Sequence, residues 1–162
     1  MMLVDVLRFC HIIGAMILFG TGVGIAFFML AAHLTRDARF IAHVAGTVVV
    51  ADAIFTATAV VSQPVTGYLL ARTIGWPLST GWLASSLALY VVTCAFWFPV
   101  VAIQLRLRGF ARQAAATGSP LPPAYFKLFR IWFACGVPAF FAVIAIIWLM
   151  TTRPDFKLPS LG

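Results

Sequence analysis

Charge is what this chain most lacks. Charged residues make up 9% of its 162 residues, where soluble domains carry roughly a quarter. Hydrophobic residues reach 63% and mean hydropathy is +1.05, which excludes a chain built for water. With four acidic residues, paired-carboxylate catalysis has no material and an ion-coupled transporter has few groups to work with. The three cysteines, Cys10, Cys94 and Cys135, lie in apolar runs at no disulfide or metal spacing and read as small buried hydrophobes. A nucleophile elbow, a phosphate-binding loop and an HExxH zinc motif are all missing, so hydrolase and kinase chemistry have no support.

What is present is long apolar segments. A hydrocarbon core of about 30 Å takes about 20 residues of helix. The chain therefore predicts an all-α, polytopic membrane protein, a bundle of four transmembrane helices forming a single domain over residues 1–162. The spans are expected at roughly Val4–His33, Ile41–Ala71, Thr80–Leu105 and Tyr125–Thr152. The first segment is too long for the core of a signal peptide and reads as a retained helix. Breaks fall at LTRDARF, RTIGWPLSTG and RLRGFARQAAATGSPLPP, each rich in turn residues. The last of these reads as the only sizeable loop, with Arg106, Arg108, Phe110 and Arg112 forming either an interfacial helical turn or a solvated stretch.

Basic residues sit at the span ends. Despite a formal charge of +7, they therefore read as topology signals, and nucleic acid is not an expected partner. Arg36, Arg39, Arg106, Arg108, Arg112, Lys127 and Arg130 flank the first and third connections, against Arg8, Arg72, Arg153 and Lys157 on the other side. The larger group is expected in the cytoplasm, which puts both termini on the outer side of the membrane. Pro64, Pro99 and Pro138 lie inside spans, where each kinks its helix and opens space. Gly14, Gly20, Gly22 and Gly24 include a G-x-x-x-G pair that permits tight helix packing, a homodimer or the close approach of a flat ligand.

Polar groups in hydrocarbon cost about 3 kcal/mol for a mid-helix carboxylate and so usually face the bundle interior. Asp52, Thr56, Gln63 and Thr66 fall on one face of span two, and Trp82, Ser86, Thr93, Trp97 and Gln104 on one face of span three. The two stripes form a packing network, a lined cavity or a proton path. At about 1.5 Å per residue, His11 is level with Gln63, Ser86 and the stretch Ile144 to Trp148, while Asp52 is level with Gly22 and Thr93. Thr56 and Thr93 are the expected partners of Asp52. On an ideal helix His11 shares a face with Gly14, Leu18 and Gly22, and its imidazole reads either as a hydrogen-bonding residue of the bundle or, over that groove, as the Nε2 ligand of a porphyrin. Arg8 and Arg72 could pair with its propionates. His33 and His43, at the other end, read as interfacial residues.

LRFCHIIGAMILFGTGVGIAFF, ADAIFTATAVVSQPVTG and RIWFACGVPAFFAVIAIIWLM together resemble a family of uncharacterised predicted integral membrane proteins of bacteria. More distantly, the order of His11, Gly67, Trp82 with Leu83, Pro138 and Pro154 is similar to that of HemJ-type protoporphyrinogen oxidases. That resemblance implies a four-helix membrane protein with a b-type haem on His11. The functional lysine of that family is replaced by Ala84, Ser85 and Ser86, and its Asn-Glu pair by Cys135 and Gly136, so porphyrinogen oxidation is not implied with the haem. Copper-resistance membrane domains have a similar layout, but Cys10, His11 and Met16 do not share a helical face. Two functions follow. One is haem b binding for electron transfer, with a redox partner, or for haem-related metabolism. The other is a cofactor-free protein serving partner binding, assembly or the passage of a small solute or metal.

Overall fold

A computed structural model describes residues 2–155. Among them, four helices are long and apolar enough to cross a membrane: α1 (Met2–Thr35), α2 (Ala38–Ile74), α3 (Gly81–Thr117) and α4 (Pro123–Thr152). The protein is an integral membrane protein of four antiparallel helices. Lys157, counted above for topology, lies outside the described residues. At about 1.5 Å per residue every helix exceeds a hydrocarbon core of about 30 Å, so their ends reach the headgroups or beyond.

The helix ends follow from local chemistry. Asp37 caps α2, its Oδ1 accepting from the backbone N–H of Arg39 at 2.8 Å and of Phe40 at 3.4 Å, and Pro123 occupies the first turn of α4, where no N–H is needed. Gly75 and Gly118 end α2 and α3 at φ of 87° and 65°, the left-handed cap that a Cβ disfavours.

The helices form a ring in which α1 lies along the whole of α2, the first half of α2 packs on α3, and α3 packs along α4. The contact of α1 with α4 is slight and includes Phe19 stacked on Phe140. At the end holding the first and third connections, the core is dense: Met29, Ile41, Leu107 and Tyr125 are at most 1% exposed, joined by Val48, Ala111, Phe129 and Trp132. At the opposite end the core is a small cluster of Ala71, Trp82 and Leu83, with Arg153 over the Trp76 ring at 4.7 Å. The second half of α2 (Ala57–Ile74) stands away from α3. The bundle is thus closed at one end and parted at the other.

Two features differ from the sequence reading. The stretch after Leu105 is not a long loop, because α3 runs on to Thr117 and only residues 118–122 connect it to α4. Leu107, Ala111 and Ala114 are buried, at the spacing of one helical face, and the breakers Gly118 and Pro120 come only later. Helix α2 also contains a π-helical turn, Asp52–Thr56, whose two end residues are both buried. Such turns break the ordinary i to i−4 ladder, and here the N–H of Ala57 donates to the Asp52 carbonyl.

The extension of α3 is held by packing, not by the bilayer. Leu107→Ala is expected to cost about 2–5 kcal/mol, as for a fully buried leucine, whereas Leu105→Ala, at a site 44% exposed, should leave stability nearly unchanged. Unfolding of the two variants in detergent checks this, and equal costs would return this stretch to a loop.

Candidate functional site

Where the bundle parts, a cleft of about 230 Å³ opens between the α1–α2 and α3–α4 hairpins. Its wall includes His11 of α1, Gln63 and Gly67 of α2, Ser86 and Tyr90 of α3, and Met150 of α4. Gln63, Leu83 and Ser86 are buried, while Pro64, Tyr68 and Leu87 are exposed, so the space runs from a buried floor to the surface of the bundle and is lined mostly by apolar atoms.

His11 is held from α2 on two sides. Its Nδ1 lies 2.9 Å from Thr66 Oγ1. The single hydroxyl hydrogen of Thr66 goes to the Ser62 carbonyl at 2.7 Å, so Nδ1 donates to Thr66 and Nε2 keeps its lone pair. The side-chain amide of Gln63 donates to the His11 carbonyl at 2.9 Å. A Cβ at Gly67 would stand 3.0 Å from the imidazole Cε1, so glycine gives the ring its place. The result is an oriented imidazole in the wall of a cleft.

Ser86 shares the cleft, but its hydroxyl donates to the Trp82 carbonyl at 2.8 Å. Gly14 is covered by Gln63, since a Cβ there would collide with Nε2 of that side chain. Gly22 faces open space, with nothing within 4 Å of where a Cβ would stand, and the same holds for Gly20 and Gly24. The structure therefore brings His11, Gln63 and Ser86 around one cleft, seats Gly14 in the α1–α2 contact and leaves Gly22 at the surface. Arg72 donates to the hydroxyl of the rim residue Tyr68 at 3.0 Å. Arg8 is exposed and lies 3.7 Å from Asp5.

Asp52 is 6% exposed. It accepts from the indole N–H of Trp97 at 3.3 Å, whereas Thr93 turns its hydroxyl back to the Leu89 carbonyl of its own helix at 2.9 Å. Buried Thr56 Oγ1 has no hydrogen-bond partner, as is also true of Gln104 Oε1 and Trp132 Nε1. The polar stripes of α2 and α3 do meet, through Trp97 and through a residue the sequence reading missed. Tyr90 donates its hydroxyl to the Val60 carbonyl, which lies four residues before Pro64 and so loses its normal helical donor. The signal was available: a proline in hydrocarbon requires a donor at the depth of the carbonyl it frees.

The other histidines are differently placed. His33 stacks on Phe129 with ring centroids 3.7 Å apart, and its Nδ1 is 3.4 Å from the Tyr125 hydroxyl. His43 is exposed on α2. Met16 is 64% exposed and Cys10 is also exposed, so neither joins His11 in the cleft. Among the described residues no three His, Cys, Asp or Glu side chains gather into a metal cluster.

Gly14 and Gly22 give a paired test of this packing. Gly14→Ala is expected to displace Gln63 and cost about 1–3 kcal/mol, as overpacked sites do, while Gly22→Ala should be neutral or slightly stabilising through helix propensity. Thermal unfolding in detergent reads both, and a neutral Gly14→Ala would contradict the close contact.

The model of the family described as "Predicted integral membrane protein (DUF2269)" matches residues 5–154. No curated protein and no solved structure matches the chain. With nearly its whole length matched, the chain belongs to the DUF2269 family of predicted integral membrane proteins.

Proposed function

We propose that this protein is a bacterial inner-membrane electron carrier that holds a b-type haem on His11, with both termini on the periplasmic side. The observation that carries this reading is the hydrogen bond from His11 Nδ1 to Thr66, which leaves Nε2 as a lone-pair donor in the cleft wall. Ligating histidines characteristically donate their other ring N–H to an oxygen that fixes tautomer and orientation. The resemblance of His11, Gly67, Trp82 with Leu83, Pro138 and Pro154, in their order along the chain, to the pattern of HemJ-type protoporphyrinogen oxidases supports the same reading.

The residues fit a haem in their donor chemistry. The enclosed volume, about 230 Å³, is below the roughly 300–1,000 Å³ usual for organic ligands, so a porphyrin would also need the open side of the cleft. Of the cations at this end, Arg153 lies over the Trp76 ring, and Arg8 and Arg72 would meet the propionates. A haem bound there would supply one-electron transfer. Ser86 spends its hydroxyl on Trp82 and stands in the segment where the oxidases carry lysine, which favours carriage of electrons over porphyrinogen oxidation.

The cleft volume favours a second reading, in which a single-ring, lipid-borne molecule is hydrogen-bonded by His11 and no haem is held. Absorption spectra of protein purified from haem-replete cells separate the two. The haem reading expects a Soret band that shifts on reduction, is lost in His11→Ala and survives in His33→Ala and His43→Ala. A colourless wild type, or a band lost with His33 or His43 instead, contradicts it.

Orientation rests on the excess of Lys and Arg flanking the first and third connections. An alkaline-phosphatase fusion after the last helix is expected to be active and a fluorescent-protein fusion dark. The reverse pattern places the termini in the cytoplasm.

A further inference from the structure

A second concavity lies at the closed, arginine-rich end, on the outer face between α2 and α3. It is an open groove of about 590 Å³, and its chemistry changes along its length. Ala42 and Gly46 keep its floor low, with Arg112 Nη2 only 3.8 Å from where a Gly46 Cβ would stand. His43, Arg108 and Arg112 line the end nearer the headgroups, and Val50, Ala51 and Phe55 line the end nearer mid-membrane. From Gly46 to Phe55 the helix rises about 14 Å, close to half of a hydrocarbon core of about 30 Å. The apolar part of the groove, from Val50 to Phe55, takes about 8 Å of that rise, roughly half of one leaflet's hydrocarbon.

The two arginines have no internal anion. Among the described residues neither side chain makes an ion pair or a hydrogen bond, and the carboxylates are engaged or distant: Asp5 lies beside Arg8, Asp37 caps α2, Asp52 accepts from Trp97 and Asp155 follows the far end of α4. Of the other cations at this end, Arg36 lies over the Phe126 ring at 4.8 Å and Arg130 donates to the Phe126 carbonyl, while Arg39, Arg106 and Lys127 are not among the residues that line the groove. Arg108 and Arg112 are one helical turn apart, a spacing at which two guanidinium groups reach the same oxyanion.

We propose that this groove is a binding site for one anionic phospholipid, its phosphate held by Arg108 and Arg112 and an acyl chain laid along Val50, Ala51 and Phe55. A soluble anion would leave the apolar length uncovered. A zwitterionic lipid would bring an amine toward two guanidinium groups. Basic recesses between membrane helices at the headgroup level take anionic lipids for this reason. The site is independent of His11, which lies in the other half of the bundle.

Native mass spectrometry of the detergent-solubilised protein, titrated with phosphatidylglycerol or phosphatidylcholine of matched chains, tests the assignment. Two cations near the headgroup correspond to about a 30-fold preference for phosphatidylglycerol, and the double variant Arg108→Gln with Arg112→Gln should lose it. Arg106→Gln with Arg130→Gln removes the same charge outside the groove and should keep the preference. Gly46→Leu fills the floor beside Arg112 and should weaken the phosphatidylglycerol adduct with every charge retained. Equal binding of the two lipids, or equal loss in the Arg106 and Arg130 pair, overturns the groove as a lipid site. Displacement of the lipid adduct by excess inorganic phosphate also overturns it, assigning the arginines to a free anion.

Discussion

Inside a bilayer no water repairs a broken hydrogen bond, so a backbone group that leaves the helical ladder must find its partner within the protein. This constraint organises the middle of the bundle. Pro64 removes a backbone donor from α2, and the freed Val60 carbonyl takes the hydroxyl of Tyr90 from α3. The π turn at Asp52–Thr56 places a buried carboxyl on the α2 face that meets α3, where the Trp97 indole donates to it. On the α1 side, Thr66 and Gln63 tie the ring and the carbonyl of His11 to the same helix. Helix α2 is thus the hub, with hydrogen bonds to neighbours on both flanks.

Those bonds matter because packing is uneven. Beyond the dense cluster around Met29, Ile41, Leu107 and Tyr125, α2 and α3 diverge and side chains, not backbone contact, hold the hairpins together. Divergence makes room for the cleft, and the hydrogen bonds set its walls. His11 stands where the bundle is open and His33 where it is closed, stacked flat on Phe129. An imidazole clamped between aromatic rings is a packing element, whereas one with a bonded Nδ1 and a free Nε2 can act as a ligand or base.

Much of this was legible in the sequence because helical rise is fixed. Counting residues inward put His11 level with Gln63 and Ser86, and the three line one cleft. The rotation of each helix was less legible. Gly22 falls on the His11 face of an ideal helix yet faces open space, since the pattern of small residues does not say which side the next helix takes. Thr56 and Thr93 were the expected partners of Asp52, but Thr56 Oγ1 has no hydrogen-bond partner and Thr93 bonds its own helix, leaving Trp97 to reach across. The length of α3 was hidden by Arg106, Arg108 and Arg112, which read as loop although Leu107, Ala111 and Ala114 carried the helical period beneath them.

The central claim, that Tyr90 fastens the hairpins by serving the carbonyl Pro64 sets free, is tested most directly by a double-mutant cycle in detergent. Tyr90→Phe should destabilise the otherwise unchanged protein by about 1–2 kcal/mol. In the Pro64→Ala background the restored amide can reach the Val60 carbonyl, and the same substitution should cost much less. An equal loss in both backgrounds, or no loss in either, would contradict the account.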